Sequence, residues 1–338
     1  MADEIGVAVI GCGYWGPNLI RNFQALDDCR LKLVCDKSAD RLAHMKRLYP
    51  GVETSTDADA ALADGIDAVV IATPVFLHHE LGRQALAAGK HTFIEKPMAA
   101  TSAQCDELVA LAEEKSLTLM TGHTFLFSSP VRKIKEIIDS GDLGAIRYIS
   151  SRRLNLGLFQ QDINVVWDLA PHDLSIIMYL MGQPPVAVNC QGNANVTPGI
   201  EDVANLTLQF EGTGFAMVHN SWLDPKKVRE MTIVGTHRMI VYDDLEPLHK
   251  IRIYDVRVER PPHYDTFAEF QYSYHYGDLY VPYIKQEEPL QVECRHFLDC
   301  IRSGATPISS GRNGADLVRI LEAADRSLKS GGAQQPTT

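Results

Sequence analysis

Residues 5–16 read IGVAVIGCGYWG, an apolar run that ends in a glycine-rich segment. The run predicts a buried β-strand. Gly11, Gly13 and Gly16 form a G-x-G-x-x-G motif that opens the helical pattern of residues 17–26. In this setting the glycines allow a tight turn, a close approach of the backbone to a diphosphate, and close helix packing. The helix start adds unpaired N–H groups and partial positive charge. The segment therefore predicts a dinucleotide-binding Rossmann fold.

Asp36 ends the next apolar run of the sequence. A carboxylate at that place can accept hydrogen bonds from both hydroxyls of an adenosine ribose and repels a 2′-phosphate, which favours NAD over NADP. Lys37 and Arg41 are nearby cations that would weaken this preference. The alternative is a glycine-rich turn with an unrelated acidic residue, but a strand, glycines, a helix and an acid in register favour the dinucleotide.

The first third of the chain alternates short apolar runs with helical patterns. Apolar runs recur at 31–35, 66–72, 91–94 and 117–120, with helical patterns at 80–88 and 101–115 between them. Strands that are apolar throughout and separated by helices are typical of a parallel sheet covered on both faces. We therefore predict an α/β Rossmann domain, the dinucleotide-binding domain, over residues 1–123.

The pattern changes in the second part of the chain. Apolar and polar residues alternate, most clearly over 202–210, which indicates antiparallel pairing. The predicted strands are 145–154, 186–194, 202–210, 214–223, 228–234, 239–243 and 250–258, and the predicted helices are 130–140, 172–181, 289–303 and 314–330. We predict a second α/β domain over 124–330, and a disordered tail over 331–338 because that segment is small and polar.

Composition limits the classes of partner. The sequence has 338 residues, with 32 Lys and Arg against 43 Asp and Glu, which gives a formal net charge of −11. A field of that sign repels phosphate backbones, so we expect no nucleic-acid partner. No apolar window of about 20 residues indicates a membrane span, and the N-terminus has no secretory pattern. Seven cysteines without CxxC spacing favour reduced thiols in the cytoplasm and no metal site.

Ligands of a Rossmann domain bind beyond the carboxyl ends of its strands, so the residues at those ends are candidate cofactor contacts. Lys96 within Glu-Lys-Pro is one of them, and its alternative interpretation is a surface lysine in a loop. The predicted contacts are Gly11, Gly13, Tyr14, Trp15, Gly16, Asp36, Ala72, Thr73, Pro74, His78, Glu95, Lys96 and Pro97.

A second group of candidate acid–base residues lies at 167–173, which read WDLAPHD. Asp168 and His172 are four apart and would share one face of a helix. With Pro171 at a first helical position, His172 would lie at a helix N-terminus, where the dipole opposes protonation and Asp168 favours it. These opposing effects would keep the pKa of the imidazole near neutral, as acid–base catalysis requires. A structural histidine at a helix start is the alternative, which the spacing alone favours.

Together these segments resemble the glucose–fructose oxidoreductase / inositol dehydrogenase / rhizopine catabolism family, called Gfo/Idh/MocA. The resemblance rests on 7–16 (VAVIGCGYWG), 71–74 (IATP) with His78, 88–97 (AGKHTFIEKP), 167–176 (WDLAPHDLSI) and 288–324. It implies a Rossmann domain followed by an α+β domain with a large, mostly antiparallel open sheet. In the family that sheet forms oligomer interfaces. The resemblance therefore implies that residues 124–330 are a substrate-binding and oligomerisation α/β domain, and that the protein is a homodimer or homotetramer.

The resemblance also implies a catalytic set. Lys96 matches the lysine of the family's E-K-P motif, and Asp168 and His172 match the acid and histidine of D-x-G-x-H-x-x-D. Ala170 replaces the usual glycine, and Ser175 stands where the last aspartate is expected, which leaves one substrate contact open. Weaker substrate candidates are His123, Arg152, Arg153, Trp167 and Asp173. A basic patch of Arg152, Arg153, Lys226, Lys227 and Arg229 would suit a diphosphate or carboxylate, and solvated charges are the alternative.

The function implied is an NAD(H)-dependent oxidoreductase. It would transfer a hydride between nicotinamide and a secondary alcohol or ketone of a sugar, sugar nucleotide or inositol. One alternative is an NAD-dependent glycosidase that uses transient oxidation of the sugar. Another is a non-catalytic dinucleotide-sensing regulator, against which the presence of Lys96, Asp168 and His172 argues. The sequence leaves the sugar, the oxidised position and the direction of the reaction open.

Overall fold

The computed structural model describes residues 4–212, 214–259 and 272–337. The helices are α1 (Gly16–Gln24), α2 (Ala39–Leu48), α3 (His78–Ala87), α4 (Ser102–Glu114), α5 (Ser129–Asp139), α6 (Val165–Met181), α7 (Pro289–Ser303) and α8 (Gly311–Lys329). The strands are β1 (Ile5–Ile10), β2 (Cys29–Cys35), β3 (Glu53–Ser55), β4 (Ala68–Ile71), β5 (His91–Glu95), β6 (Leu119–Gly122), β7 (Ile146–Leu156), β8 (Ala187–Asn193), β9 (Val203–Gln209), β10 (Phe215–Ser221), β11 (Leu223–Gly235), β12 (Met239–Asp243), β13 (Ile251–Glu259), β14 (Ser273–Tyr280) and β15 (Gln335–Pro336).

The chain divides into two units by its internal contacts. The first unit holds residues up to 128 together with 287–322, and the second holds 129–286 together with the residues from 323 onward. The division near 128 lies close to the predicted boundary at 123. The prediction that residues 287–322 belong to the second domain was wrong. Their helix α7 packs on α1, and its Phe297 lies edge-on against Phe23 and Phe93, with ring centroids 6.4 and 5.7 Å away.

The first unit contains a six-stranded parallel sheet in the order β3-β2-β1-β4-β5-β6. Every residue of β1 and β4 is buried, as expected for central strands covered on both faces. The strand order reverses between β1 and β4, so the carboxyl ends of these two strands form the crevice where such sheets bind ligands. Thr101 caps α4 by accepting a hydrogen bond from Gln104 N, which agrees with the predicted helix start.

The second unit contains a nine-stranded sheet in the order β14-β13-β12-β11-β7-β10-β9-β8-β15. Its pairs are antiparallel except for β7 with β10. Helix α6 packs on β7, β9 and β10. The predicted mostly antiparallel open sheet is confirmed. Strands β14 and β15 are additions that the alternation pattern did not indicate.

Helix α6 begins seven residues earlier than predicted. Its N-cap is Asn164, whose Oδ1 accepts hydrogen bonds from Val166 N and Trp167 N. Pro171 therefore lies inside the helix rather than at its first position, and His172 is not at a helix N-terminus. Because the proline has no N–H, it cannot donate the usual helical hydrogen bond. The electrostatic argument that relied on a helix start at His172 is thereby removed.

The tail also departs from the prediction of disorder. Gln335 and Pro336 pair with Val188 and Ala187 at one edge of the second sheet. Thr337 N adds a hydrogen bond to Val186 O at 3.2 Å. Main-chain pairing supplies the order that the small polar side chains do not. Thr338 lies outside the described residues.

Candidate active site

Two glycines of the loop in the first unit, Gly11 and Gly16, have no room for a side chain. Gly11 has a φ of +106°, and a Cβ on it would lie 2.4 Å from the carbonyl oxygen of Ala72. A Cβ on Gly16 would lie 1.9 Å from the carbonyl oxygen of Gly11. The first glycine is thus required by conformation and by the neighbouring strand end, and the third by the entry into α1.

Asp36 is fixed beside this loop by main-chain donors. Its Oδ2 accepts a hydrogen bond from Cys12 N at 2.6 Å, and its Oδ1 accepts one from Ser38 N at 2.8 Å. Arg41 Nη1 lies 3.7 Å from Oδ2. Each carboxylate oxygen has a further lone pair, so Asp36 can still accept hydrogen bonds from ribose hydroxyls. Arg41 offsets part of its charge.

A cleft of about 760 Å³ opens at the loop, within the range of small-molecule and cofactor sites. It contains most of the predicted cofactor contacts, namely Gly11, Gly13, Tyr14, Trp15, Asp36, Ala72, Thr73 and Pro74. The lining also includes Phe76 and Leu77, which the sequence interpretation missed although they follow Pro74, a predicted contact, by two and three residues. The glycine cradle, the strand order and the placed carboxylate together fit a dinucleotide.

His78 has a different place from the one predicted. It is 1% exposed, and its two ring nitrogens lie 2.9 Å from Pro97 O and 2.7 Å from Thr73 O. Burial lowers its pKa. The neutral ring has one N–H and so donates to one of these two carbonyl oxygens. The burial of the ring argues against the prediction of His78 as a cofactor contact. The ring joins the end of β4 to the segment that follows β5.

Glu95 connects the glycine-rich loop with the segment that carries Lys96. Its Oε2 accepts a hydrogen bond from Lys96 N at 3.2 Å, and its carboxyl group also accepts one from the side chain of Trp15. Its Oε1 is buried without a partner among the described residues. Burial raises the pKa of Glu95 to about 7 against the opposing effects of Lys96 and Trp15. Glu95 can therefore exchange a proton near neutral pH.

His123 follows β6 and is 3% exposed. Neither ring nitrogen has a hydrogen-bond partner within the part of the chain that the structure describes. Burial and the charge of Lys96 lower its pKa to about 3. The imidazole is thus neutral at physiological pH and does not act as an acid–base group there. Its prediction as a substrate contact stays a prediction.

In the second unit, α6 leaves its acid–base residues partly accessible. Asp168 and His172 lie on one partly exposed stripe of the helix, whereas Ala170 and Pro171 between them are buried. Asp168 Oδ2 accepts a hydrogen bond from the indole Nε1 of Trp222 at 2.9 Å. Trp222 is 1% exposed, so it holds the carboxylate from a rigid position. The predicted sharing of a helix face by Asp168 and His172 is confirmed.

Trp222 was not predicted from the sequence. It directly follows β10, and its ring fits where Gly157 has no side chain, since a Cβ there would lie 2.7 Å from Trp222 Cδ1. The other tryptophan near the start of α6, Trp167, donates from its indole to Asp325 Oδ2 at 2.8 Å. This hydrogen bond gives Trp167 a structural partner, and its predicted substrate contact stays a prediction.

Arg153 and Asp173 bind each other. Arg153 Nε and Nη2 lie 2.7 and 3.1 Å from the two carboxylate oxygens, Ser151 Oγ donates to the same carboxylate at 2.9 Å, and both charged residues are 5% exposed or less. This bidentate pair ties α6 to β7. Its burial argues against the prediction of either residue as a substrate contact.

The predicted basic patch is largely neutralised. Arg152 pairs with Glu230 at 2.6 Å, and Arg229 pairs with Asp244 at 3.3 Å. Lys226 and Lys227 are exposed. The exposed arginine positions therefore present acid–base pairs rather than a uniform positive surface, which weakens the prediction of Arg152 as an anion contact.

Ser175 occupies the place of the aspartate expected from the resemblance. It is buried, and its hydroxyl donates to the carbonyl oxygen of His172 at 2.9 Å. The side chain thus adds a hydrogen bond back to a carbonyl of the preceding helical turn. Among the described residues, no group of three or more His, Cys, Asp or Glu side chains could hold a metal ion. None of the helices in this part of the chain is long and apolar enough to cross a membrane.

Comparisons with known proteins identify the family. A profile described as "Oxidoreductase family, NAD-binding Rossmann fold" matches residues 5–123, and one described as "GFO/IDH/MocA C-terminal domain" matches residues 131–241. The chain belongs to the Gfo/Idh/MocA family.

Relatives within the Gfo/Idh/MocA family include sugar and inositol dehydrogenases. UDP-N-acetylglucosamine 3-dehydrogenase of Acidithiobacillus ferrooxidans is 34% identical over 245 residues, 70% of this chain and 73% of the relative. Its solved structure superposes with a TM-score of 0.80 at 25% identity and covers 98% of this chain and 99% of that one. Myo-inositol 2-dehydrogenase of Thermotoga maritima is 25% identical over 342 residues, 96% of each chain.

The fold is also that of an Agrobacterium radiobacter oxidoreductase solved with NAD⁺, L-tartaric acid and magnesium. That structure has a TM-score of 0.81 at 21% identity and covers 99% of this chain and 98% of its own.

The two Gfo/Idh/MocA motifs that carry the predicted catalytic residues lie in different units of this chain. The Glu-Lys-Pro segment belongs to the first unit, and the segment 167–176 belongs to the second.

Proposed function

We propose that this Gfo/Idh/MocA protein is an NAD-dependent dehydrogenase or reductase that acts on a secondary alcohol or ketone of a sugar or polyol. The observation that carries the proposal is that α6 has two kinds of polar residue, some accessible to a substrate and some buried. Asp168 and His172 stay partly accessible with Asp168 held by Trp222, whereas Asp173 and Ser175 are buried in structural hydrogen bonds. Accessible acid–base groups on a rigid element are what proton transfer requires.

The cofactor that fits the cleft is NAD. Gly11, Gly13 and Gly16 would hold its diphosphate at the start of α1, and Asp36 would accept hydrogen bonds from the adenosine ribose. Bound nicotinamide supplies the acceptor and donor of the hydride. Preference over NADP rests on the carboxylate of Asp36, which Arg41 offsets in part.

Three side chains have proposed catalytic roles. His172 takes the proton of the substrate hydroxyl during oxidation and returns it during reduction. Lys96 donates hydrogen bonds to a substrate oxygen and stabilises developing negative charge. Asp168, fixed by Trp222, holds a substrate hydroxyl or orients the imidazole. These assignments come from the match to the family's motifs, and the geometry of α6 supports those of Asp168 and His172.

Two observations point to different substrates within the sugar class. The paired arginines Arg152, Arg153 and Arg229 favour an uncharged sugar or inositol. The 34% identity to a UDP-N-acetylglucosamine dehydrogenase favours a sugar nucleotide. We propose the uncharged class, because the arginines of the predicted patch, which could bind a diphosphate bidentately, are already paired with acids.

We further propose that the protein forms a homodimer or homotetramer through the sheet of the second unit. The edge strand β14 carries exposed aromatic side chains, with Tyr274, Tyr276 and Tyr280 each at least 60% exposed. Aromatic residues are enriched at protein interfaces. Light scattering after gel filtration tests the proposal, and a monomer at working concentrations would contradict it.

A substrate panel with a catalytic variant tests the proposed activity. Sugars, inositols and sugar nucleotides are incubated with NAD, the absorbance of NADH is followed, and mass spectrometry identifies a ketone. His172→Asn should lose roughly 10²–10⁴-fold in turnover and keep NAD binding, measured by calorimetry. Turnover by His172→Asn equal to that of the wild type would remove His172 from the mechanism. Release of an aglycone without net NADH would instead identify a glycosidase.

A further inference from the structure

A second carboxyl group lies in the same part of the first unit as Glu95. Glu293 on α7 is fully buried. Its Oε2 accepts a hydrogen bond from Thr124 Oγ1 at 2.7 Å, and its Oε1 has no partner among the described residues. Thr124 begins the short 3-10 turn that follows His123. Through Thr124, α7 is therefore joined to the chain segment that leaves β6.

Glu95 reaches the same region from β5. Gly122, at the end of β6, leaves room for its carboxyl group, because a Cβ there would lie 3.0 Å from the Glu95 carboxyl carbon. The charge of Glu95 acts on Glu293. Two enclosed carboxyl groups that influence each other cannot both ionise at neutral pH without a large cost. The cation that acts on Glu95 is Lys96, and one cation compensates one carboxylate.

The neighbouring groups do not change this balance of charge. The 3-10 turn 124–127 has no titratable side chain. Helix α1 contributes Arg21, which is paired with Glu288 at the exposed start of α7. Burial raises the pKa of Glu293 well above its usual range, and Glu95 adds to the effect. Among the described residues, the titratable groups near Glu293 are Glu95, Lys96, His123, Cys294 and His296 on α7, Cys29 near Cys294, and the Arg21–Glu288 pair. The ring of His296 packs on Phe127 of the 3-10 turn with centroids 5.3 Å apart, and its Nε2 accepts a hydrogen bond from Ile308 N at 3.0 Å.

We propose that Glu293 is a positioning residue that works as an uncharged acid. It keeps its proton at neutral pH and holds the turn after β6 through Thr124. It thereby leaves Glu95 as the carboxyl group of this cluster that gains and loses a proton beside Lys96. The proposal concerns the reaction proposed above and rests on it for its catalytic consequence, but the protonation of Glu293 can be measured without any substrate.

Infrared difference spectroscopy tests the protonation. At about pH 8, where an exposed glutamate is fully ionised, the wild-type protein should show the carbonyl band of a protonated carboxylic acid. Glu293→Gln should remove this band. Glu288→Gln, which changes the exposed acid at the N-cap position of the same helix, should leave it in place. Thr124→Val should shift its frequency because the hydrogen bond from the hydroxyl is lost, and Thr124→Ser should not.

The turnover of Glu293 variants shows whether this residue acts as a neutral hydrogen-bonding group or needs a negative charge. Glu293→Ala should lower kcat roughly tenfold, the effect of one lost buried hydrogen bond, with NAD affinity little changed. Glu293→Gln keeps an oxygen acceptor for Thr124 and should restore most of that loss. Absence of the acid band from the wild type at about pH 8, or equal losses in the Gln and Ala variants, would overturn the proposal. Absence of sugar turnover with the band present would instead contradict the proposed function alone.

Discussion

The two motif regions of the molecule differ in how their residues are held. In the glycine-rich loop, Gly11, Gly16 and Asp36 are placed by backbone atoms, those of Ala72, Cys12 and Ser38 among them. On α6, Asp168 and Asp173 are held by the side chains of Trp222 and Arg153, which are far away in the sequence. In the loop, a side chain added at Gly11 or Gly16 would collide with backbone atoms, so few substitutions are tolerated there. On α6, each carboxylate is held by one partner side chain, and a mutation can remove that partner.

The largest expected effect comes from filling the glycine-rich loop. Gly16→Ala would place a Cβ 1.9 Å from a backbone oxygen, so the loop must shift, and we expect loss of NAD binding by at least 100-fold or failure to fold. Gly51→Ala is the matched control, because its Cβ would meet nothing within 4 Å. NAD affinity is measured by calorimetry. If Gly16→Ala bound NAD within threefold of the wild type, the backbone around Gly16 would not exclude a side chain as argued.

Breaking the buried ion pair should have the next largest effect. Asp173→Asn leaves Arg153 without its charged partner at a buried site, and we expect a loss of about 3–5 kcal/mol in the free energy of unfolding. The double variant Arg153→Met with Asp173→Leu should recover much of this loss, because no unpaired charge remains. Urea unfolding measures both. Equal stability of Asp173→Asn and the wild type would mean that the pair does not fasten α6 to β7.

Glu95 predicts a pH dependence of stability in the first region. The unfolded chain releases this proton near pH 4.5 and the folded protein near pH 7, so the folded state loses stability as the pH rises between these values. Glu95→Gln should match the wild type below about pH 4.5 and exceed it by roughly 3 kcal/mol above about pH 7. Thermal unfolding across this range measures the difference. A constant offset at all pH values would mean that Glu95 has an ordinary pKa.

The smallest expected effect is at the indole that holds Asp168. Trp222→Phe keeps the aromatic ring and removes the N–H donor, so Asp168 loses orientation. We expect kcat/KM for the substrate to fall roughly tenfold with little change in unfolding temperature. Unchanged kcat/KM would show that Asp168 does not need this hydrogen bond. A large loss of stability would show instead that Trp222 acts mainly in the core.

The same contrast explains how much the sequence revealed. Gly11, Gly13, Gly16 and Asp36 form a local pattern within about 30 residues, and the parallel sheet around them was predicted with it. The second sheet was predicted from alternation except for β14 and β15. Local patterns report backbone geometry, which recurs with the same residue types.

Long-range partners were out of reach of the sequence. Nothing near Glu293 in the chain indicates that it meets Thr124, and nothing near Trp222 indicates Asp168, since these contacts depend on the completed fold. The start of α6 was misplaced because Pro171 suggested a first helical position, whereas the cap formed by Asn164 begins the helix earlier. The grouping of α7 with the first unit likewise depends on the aromatic contacts of Phe297.

The pairing of Gln335 and Pro336 covers the first two residues of β8 at one edge of the nine-stranded sheet. A strand edge without a partner is a template on which another chain can add, which leads to aggregation or strand exchange. Gln335 and Pro336 therefore protect this part of the sheet edge from pairing with another chain. Pro336 has no N–H and cannot donate a hydrogen bond to a further strand. Shortening the chain before Gln335 would uncover β8 and give the protein a tendency to self-associate that is unrelated to its catalytic residues.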